Sequence, residues 1–239
     1  MASIQDDRGY NQGFKPSPAL KIRTERRCQY ILEKSNLKEA GRILEIGCGT
    51  GEISSLLATQ GNVTVVGTDL CQPFIEQARS NHQHPKLSYE VFDFNSTDEK
   101  AYLKIGKFDA IVGNGILHHL YHNLDASLQR FKKLCNPGAR IVFLEPNLLN
   151  PYVYLIFSFA TFRKLAKLEP DEMAFTRRFI RSKLKDNGFS NIVVEYRDFL
   201  LPNTPTAFIK PVIVVGNCLE KIPLADRVAQ SIFISADVF

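Results

Sequence analysis

The stretch "RILEIGCGTGEISSLLA", Arg42 to Ala58, constrains the fold of this chain more than any other. A short strand-like run passes directly into helical spacing through glycines at positions 47, 49 and 51. Residues without a Cβ accept positive φ and let a ligand lie against the main chain. A strand-to-helix turn of that kind belongs at the carboxyl edge of an open α/β sheet, where ligands bind at the point at which strand order reverses.

The rest of the chain keeps the alternation. Apolar periodicity predicts strands at Arg42–Ile46, Val63–Asp69, Leu87–Phe92, Phe108–Asn114 and Ala139–Glu145, with helices near Glu52–Gln60, Gln72–Asn81, Thr97–Ile105 and Asn123–Leu134. An amphipathic helix, Pro18 to Lys34, precedes them, with Leu20, Thr24, Cys28 and Ile31 on one side and charges elsewhere. After Glu145 come an aromatic, proline-punctuated insertion (148–175), a helix ending at Gly188, the strand "NIVVEYRDF", a second insertion (199–230) and a final strand "SIFISAD". The expected fold is α/β: a doubly wound, mostly parallel, seven-stranded sheet in a single domain spanning residues 1–239.

Composition excludes several classes. A chain of 239 residues that is 44% hydrophobic and 23% charged suits one buried core and no disordered or fibrous class. Five scattered cysteines, with no C-x-x-C pair, point to reduced thiols and a cytoplasmic setting. The start carries no leader pattern, and the longest apolar stretch, Tyr152 to Phe162, is far short of the roughly 20 residues needed to span a bilayer. The net charge of +5 is spread among 25 acids, and the densest basic cluster, "RRFIRSKLK", reads as a solvated helix face. No nucleic-acid partner is expected.

Spacing narrows the ligand. A dinucleotide turn places its third glycine where Glu52 stands, and a phosphate-cradling loop carries a lysine that this turn lacks. Glu45 and Glu52 flank the turn instead, which suits a ligand with a positive group such as an amine or a sulfonium.

"EIGCGTG" resembles the first motif of the class I S-adenosylmethionine-dependent methyltransferases, and the later motifs follow in order from Ala40 to Asn147. The resemblance implies S-adenosylmethionine as cofactor, held by Glu45, Gly47, Gly49 and Gly51. Asp69 would take both ribose hydroxyls, Leu70 would lie against the adenine, and Asp93 with Phe94 would meet the adenine amino group. The segment "FDAIVGNGILHHL" matches the fourth-strand motif, with Asn114 as a further cofactor contact, and "LCNPGARIVFLEPN" matches the approach to the fifth. Taken alone, Asp69 or Asp93 at a strand end could equally cap the following helix.

The acceptor is less constrained. Asn114 is followed by "GIL", unlike enzymes that methylate exocyclic base nitrogens, and the acids of a catechol-type metal site are missing, so no metal is expected. The two insertions would roof a small-molecule or lipid-like acceptor, with Tyr152, Tyr154, Phe157, Phe159 and Phe162 lining an apolar pocket or packing as extra core. Peripheral membrane contact stays open. Residues 1–40 would form a helical lid, with Tyr10 and Phe14 folding over the cofactor. For O-methylation a base is needed, and the candidates are His118 and His119, with Glu145 next. Helical neighbours point about 100° apart, so one histidine alone should face the acceptor. A non-catalytic cofactor-binding scaffold is the main alternative. A nucleotide oxidoreductase is disfavoured by the missing third glycine.

Overall fold

The computed structural model describes residues 16–238, apart from 38–39, 95, 97–98 and 169–171, and of residues 99 and 103 the backbone alone. Tyr10 and Phe14, assigned to a lid, lie outside the described residues. Strands β1 (Arg42–Ile46), β2 (Thr64–Asp69), β3 (Leu87–Val91), β4 (Phe108–Asn114), β5 (Cys135–Pro146), β6 (Ser190–Arg197) and β7 (Ser231–Asp237) form one sheet in the order β3-β2-β1-β4-β5-β7-β6. The first five are parallel, and β7 runs antiparallel to both β5 and β6. Order reverses between β1 and β4, which puts the glycine turn after β1 at the predicted crevice.

Period-two alternation sends each central strand to both faces of the sheet. Leu44, Ile46, Ile111, Ile141 and Phe143 join one core with helices α5 (Leu124–Leu134) and α8 (Arg177–Asp186). Ile43, Val65, Val112 and Val142 join the other with α1 (Pro18–Ser35) and α2 (Glu52–Gln60). Helices α3 (Gln72–Asn81) and α4 (Glu99–Ile105) complete the alternating units. Strand β5 starts at Cys135 rather than Ala139, because its Pro137-Gly138 step is absorbed in a register shift against Phe108 and Ala110 on β4.

One expectation needs correction. Helix α1 does not keep all its charges outside: Arg27 is buried, held by Asp198 and Asn114. The insertions carry helices α6 (Pro151–Ser158) and α7 (Ala160–Leu165) in the first and α9 (Thr206–Leu219) in the second. Asn150 caps α6 by accepting the N–H groups of Tyr152 and Val153. The basic face of α8 is exposed while its Ile180 and Leu184 are buried, as a solvated helix face requires.

Candidate functional site

The turn after β1 is held by main-chain bonds. Cys48 N–H donates to Thr68 O at 2.9 Å and Gly51 N–H to Cys48 O at 2.9 Å, so the loop folds back over the end of β2. Gly49 and Gly51 have φ of +53° and +90°, and they differ in surroundings. A Cβ at Gly51 would overlap the Tyr89 hydroxyl and lie 3.0 Å from Ala78, whereas one at Gly49 would meet nothing within 4 Å. The turn is therefore closed on its core side and open at Gly49, the surface a ligand can lie against.

Asp69 faces that opening from the end of β2. Its Oδ2 accepts the Gly49 N–H and its Oδ1 the Cys71 N–H, both at 2.9 Å, so it ties the glycine turn to the start of α3. Burial raises its pKa, against the pull of those backbone donors. Leu70 is half-buried beside it. Glu45 is buried under α2, where its carboxyl accepts the Ser54 hydroxyl; burial, with Glu52 and Asp69 nearby, pushes its pKa up to about 8. Of the two acids flanking the turn, Glu52 alone is exposed. Asp93 is half-buried after β3, while Phe94 turns into the core against Phe92 at 4.6 Å and Phe131 at 6.0 Å.

At the end of β4, Asn114 Oδ1 accepts a hydrogen bond from Arg27. The 3₁₀ segment Leu117–Asn123 follows. Buried Glu145 organises its start: Oε1 accepts the N–H groups of Ile116 (3.0 Å) and Leu117 (2.8 Å), and Oε2 lies 2.8 Å from His118 Nδ1. The neighbouring His119 Nδ1 lies 3.2 Å from Glu172 Oε1, a residue of the first insertion. The two histidines do not diverge as a helical pair would. Their ring centroids are 4.2 Å apart and tilted by 36°, because each ring is drawn to its own carboxylate. Phe157 meets His118 edge-on at 6.0 Å, and the Ile116 side chain abuts Gly47, which joins this cluster to the glycine turn.

Of the five aromatics expected to line a pocket, Phe157 is buried there, packed with Val153 and Ala174. Tyr152, Tyr154, Phe159 and Phe162 are exposed. The insertions do not merge into one extra core. The first has its own apolar cluster and sends Phe175 into the main core, and α9 packs on α1 through Ile209, Leu200 and Ala19. They meet through Asn147 and Asn150, whose amides donate to the main chain at Arg227, Val228 and Ala229.

A methyltransferase-domain family model matches residues 44–141. The ubiquinone biosynthesis O-methyltransferase of Vibrio cholerae is 31% identical over 157 residues, which are 65% of this chain and 61% of that one. The lovastatin diketide synthase mokB of Monascus pilosus is 28% identical over 168 residues, 66% of this chain and 6% of that one. An S-adenosylmethionine-dependent methyltransferase from Archaeoglobus fulgidus superposes with a TM-score of 0.64 at 19% identity, covering 95% of this chain and 97% of that one. Residues 44–141 thus carry a methyltransferase domain, set in a chain with the fold of an S-adenosylmethionine-dependent methyltransferase.

The chain spans less than two thirds of the length of these curated relatives. Its residues fit the family's cofactor: the backbone at Gly49 is open, and the Asp69 carboxylate stands beside it with oxygen lone pairs able to accept further bonds. Sequence reasoning missed Glu172 and Arg27. Glu172 lies 53 residues after His119, with no motif to link them. Arg27 was placed with the solvated charges of α1, although its one-turn spacing from Arg23 matches their shared partner, Asp198.

Proposed function

We propose that this chain methylates a small-molecule or lipid- or sugar-linked acceptor at oxygen, by in-line displacement at the methyl group of S-adenosylmethionine. The cofactor, when bound, supplies an electrophilic methyl on a sulfonium. The main chain at Gly49 and the Asp69 carboxylate hold its ribose side, with Leu70 and Asp93 toward the base. The observation that carries the acceptor reading is the His118–His119–Glu172 cluster, in which His119 alone is half-exposed and against which Phe157 packs edge-on. His119, the more exposed of the two rings, receives the hydroxyl proton. His118 is fixed by Glu145, which acts as a positioning residue.

The Vibrio cholerae relative, named as an O-methyltransferase of ubiquinone biosynthesis, supports oxygen as the atom methylated. Exposed Tyr154, Phe159 and Leu165 lie close in sequence to Arg163 and Lys164, which supports an acceptor presented at a lipid surface. Among the described residues no helix is long and apolar enough to cross a membrane.

Two measurements test the proposal. S-adenosylhomocysteine at a hundredfold excess over its dissociation constant should add about 2.7 kcal/mol to stability, and NAD nothing. Cell extract incubated with enzyme and isotope-labelled methyl donor should then yield a labelled small molecule whose methyl is on oxygen. Cofactor binding without any labelled product would leave a non-catalytic scaffold.

A further inference from the structure

His118, His119 and Glu172 each place a ligand atom within 4.8 Å of the other two. We propose that they bind a divalent transition-metal ion of the zinc type. Two imidazoles and one carboxylate form a donor set that such ions prefer, and three protein ligands leave a position open, as in catalytic rather than closed structural sites.

The geometry is close to what an ion needs. Bonds of 2.0–2.1 Å at tetrahedral angles separate ligand atoms by about 3.3 Å, and His119 Nδ1 to Glu172 Oε1 is already 3.2 Å. His118 has the support typical of a metal ligand. Its Nδ1 is committed to the buried Glu145 carboxylate, which leaves Nε2 for an ion and fixes the ring through a group that is itself held by two backbone N–H donors. Glu172 is held from outside: Arg163 donates to its carbonyl at 3.1 Å and to the Phe157 carbonyl at 2.9 Å, and Met173 N–H reaches the His118 carbonyl. The carboxylate is 3% exposed beside a buried imidazole, surroundings in which a cation's charge is strongly favoured.

The ion's role, though not its binding, rests on the proposed acceptor site. An acceptor hydroxyl on the open position would be acidified as metal-bound water is, its proton passing to solvent, and His119 would then serve as ligand in place of base. The ends of β4 and β5 lack the acids of a catechol-type metal set. The third ligand here comes from the insertion.

Full-length protein stripped with EDTA should bind one equivalent of Co²⁺, with visible d–d absorption of a four- or five-coordinate ion, and Zn²⁺ should displace it. Glu145→Gln should weaken Co²⁺ by about 10–100-fold. His119→Ala and Glu172→Gln should weaken it further, with circular dichroism and S-adenosylhomocysteine affinity unchanged. Absence of stoichiometric Co²⁺ binding by folded protein, or equal affinity in those two variants, overturns the metal site and leaves the histidine-base reading standing. Failure of S-adenosylhomocysteine to bind while Co²⁺ binds counts against the proposed function alone.

Discussion

The cofactor edge and the roof above it are built on different principles. At the edge, strand ends, backbone hydrogen bonds and buried acids fix positions: Gly49 is tied to Asp69, Gly51 to Cys48, and Cys48 to Thr68 of β2, each by a bond of 2.9 Å. The roof has little of this. Phe157 is buried, yet Tyr152 is 63% and Leu165 80% exposed, and each insertion has its own small apolar cluster. The part that carries the glycine turn is made from the sheet; the exposed part is made from helices attached to it.

That contrast can be broken most severely where the regions join. Asp198 follows β6 and accepts bonds from Arg23 and Arg27 of α1, while Arg27 also reaches Asn114 at the cofactor edge. Asp198→Ala leaves two guanidiniums short of their carboxylate and should cost about 3–5 kcal/mol in urea unfolding. A loss under about 1 kcal/mol would mean that roof and edge are independent. Burial opposes ionisation of Asp198, but Arg27 and Arg23 outweigh it and hold its pKa below the ordinary value. Its contribution is therefore complete above the unfolded aspartate pKa and is lost as pH falls through the lower folded one. Acid unfolding of Asp198→Asn should lack that component.

Next in size is a pair of glycine variants. Gly51→Ala combines left-handed strain with overlap on Tyr89, and should lose about 2–4 kcal/mol of stability. Gly49→Ala, with open space around it, should lose only the strain of about 1–2 kcal/mol and yet abolish cofactor binding. Thermal melts and calorimetry with S-adenosylhomocysteine separate the two. Asp69→Ala should weaken the cofactor by about 1.5–3 kcal/mol in a protein that still folds. Unchanged affinity would reduce Asp69 to a tie between Gly49 and Cys71. The smallest effect belongs to the roof: Leu165→Ser should alter stability by no more than about 0.5 kcal/mol, and a larger loss in melting experiments would show that α7 is core.

The same division decides what the sequence disclosed. β1, α2, α3 and β4 are seen with the bounds that spacing predicts, because apolar period and turn residues are local signals. The glycine turn and Asp69 come together for the same reason: β1 and β2 are neighbours, and a turn after one faces the end of the other. The pairings of Arg27 with Asp198 and of His119 with Glu172 bridge separate elements, and nothing in local spacing encodes them. Glu45 shows a further limit. Its place in the motif was legible, but not its burial under α2, which removes it from the exposed rim.

The antiparallel strand β7 sets an order of events during synthesis. Strand β6 pairs with β7 alone, so Ser190–Arg197 has no partner until Ser231–Asp237 has left the ribosome, about 40 residues after β6 ends. At 5–20 residues per second that is an interval of about 2–8 s. Throughout it an open strand edge trails the nascent chain together with the apolar α9, the combination that recruits chaperones or aggregates. The yield of soluble protein should thus depend on how quickly the ribosome crosses this one segment.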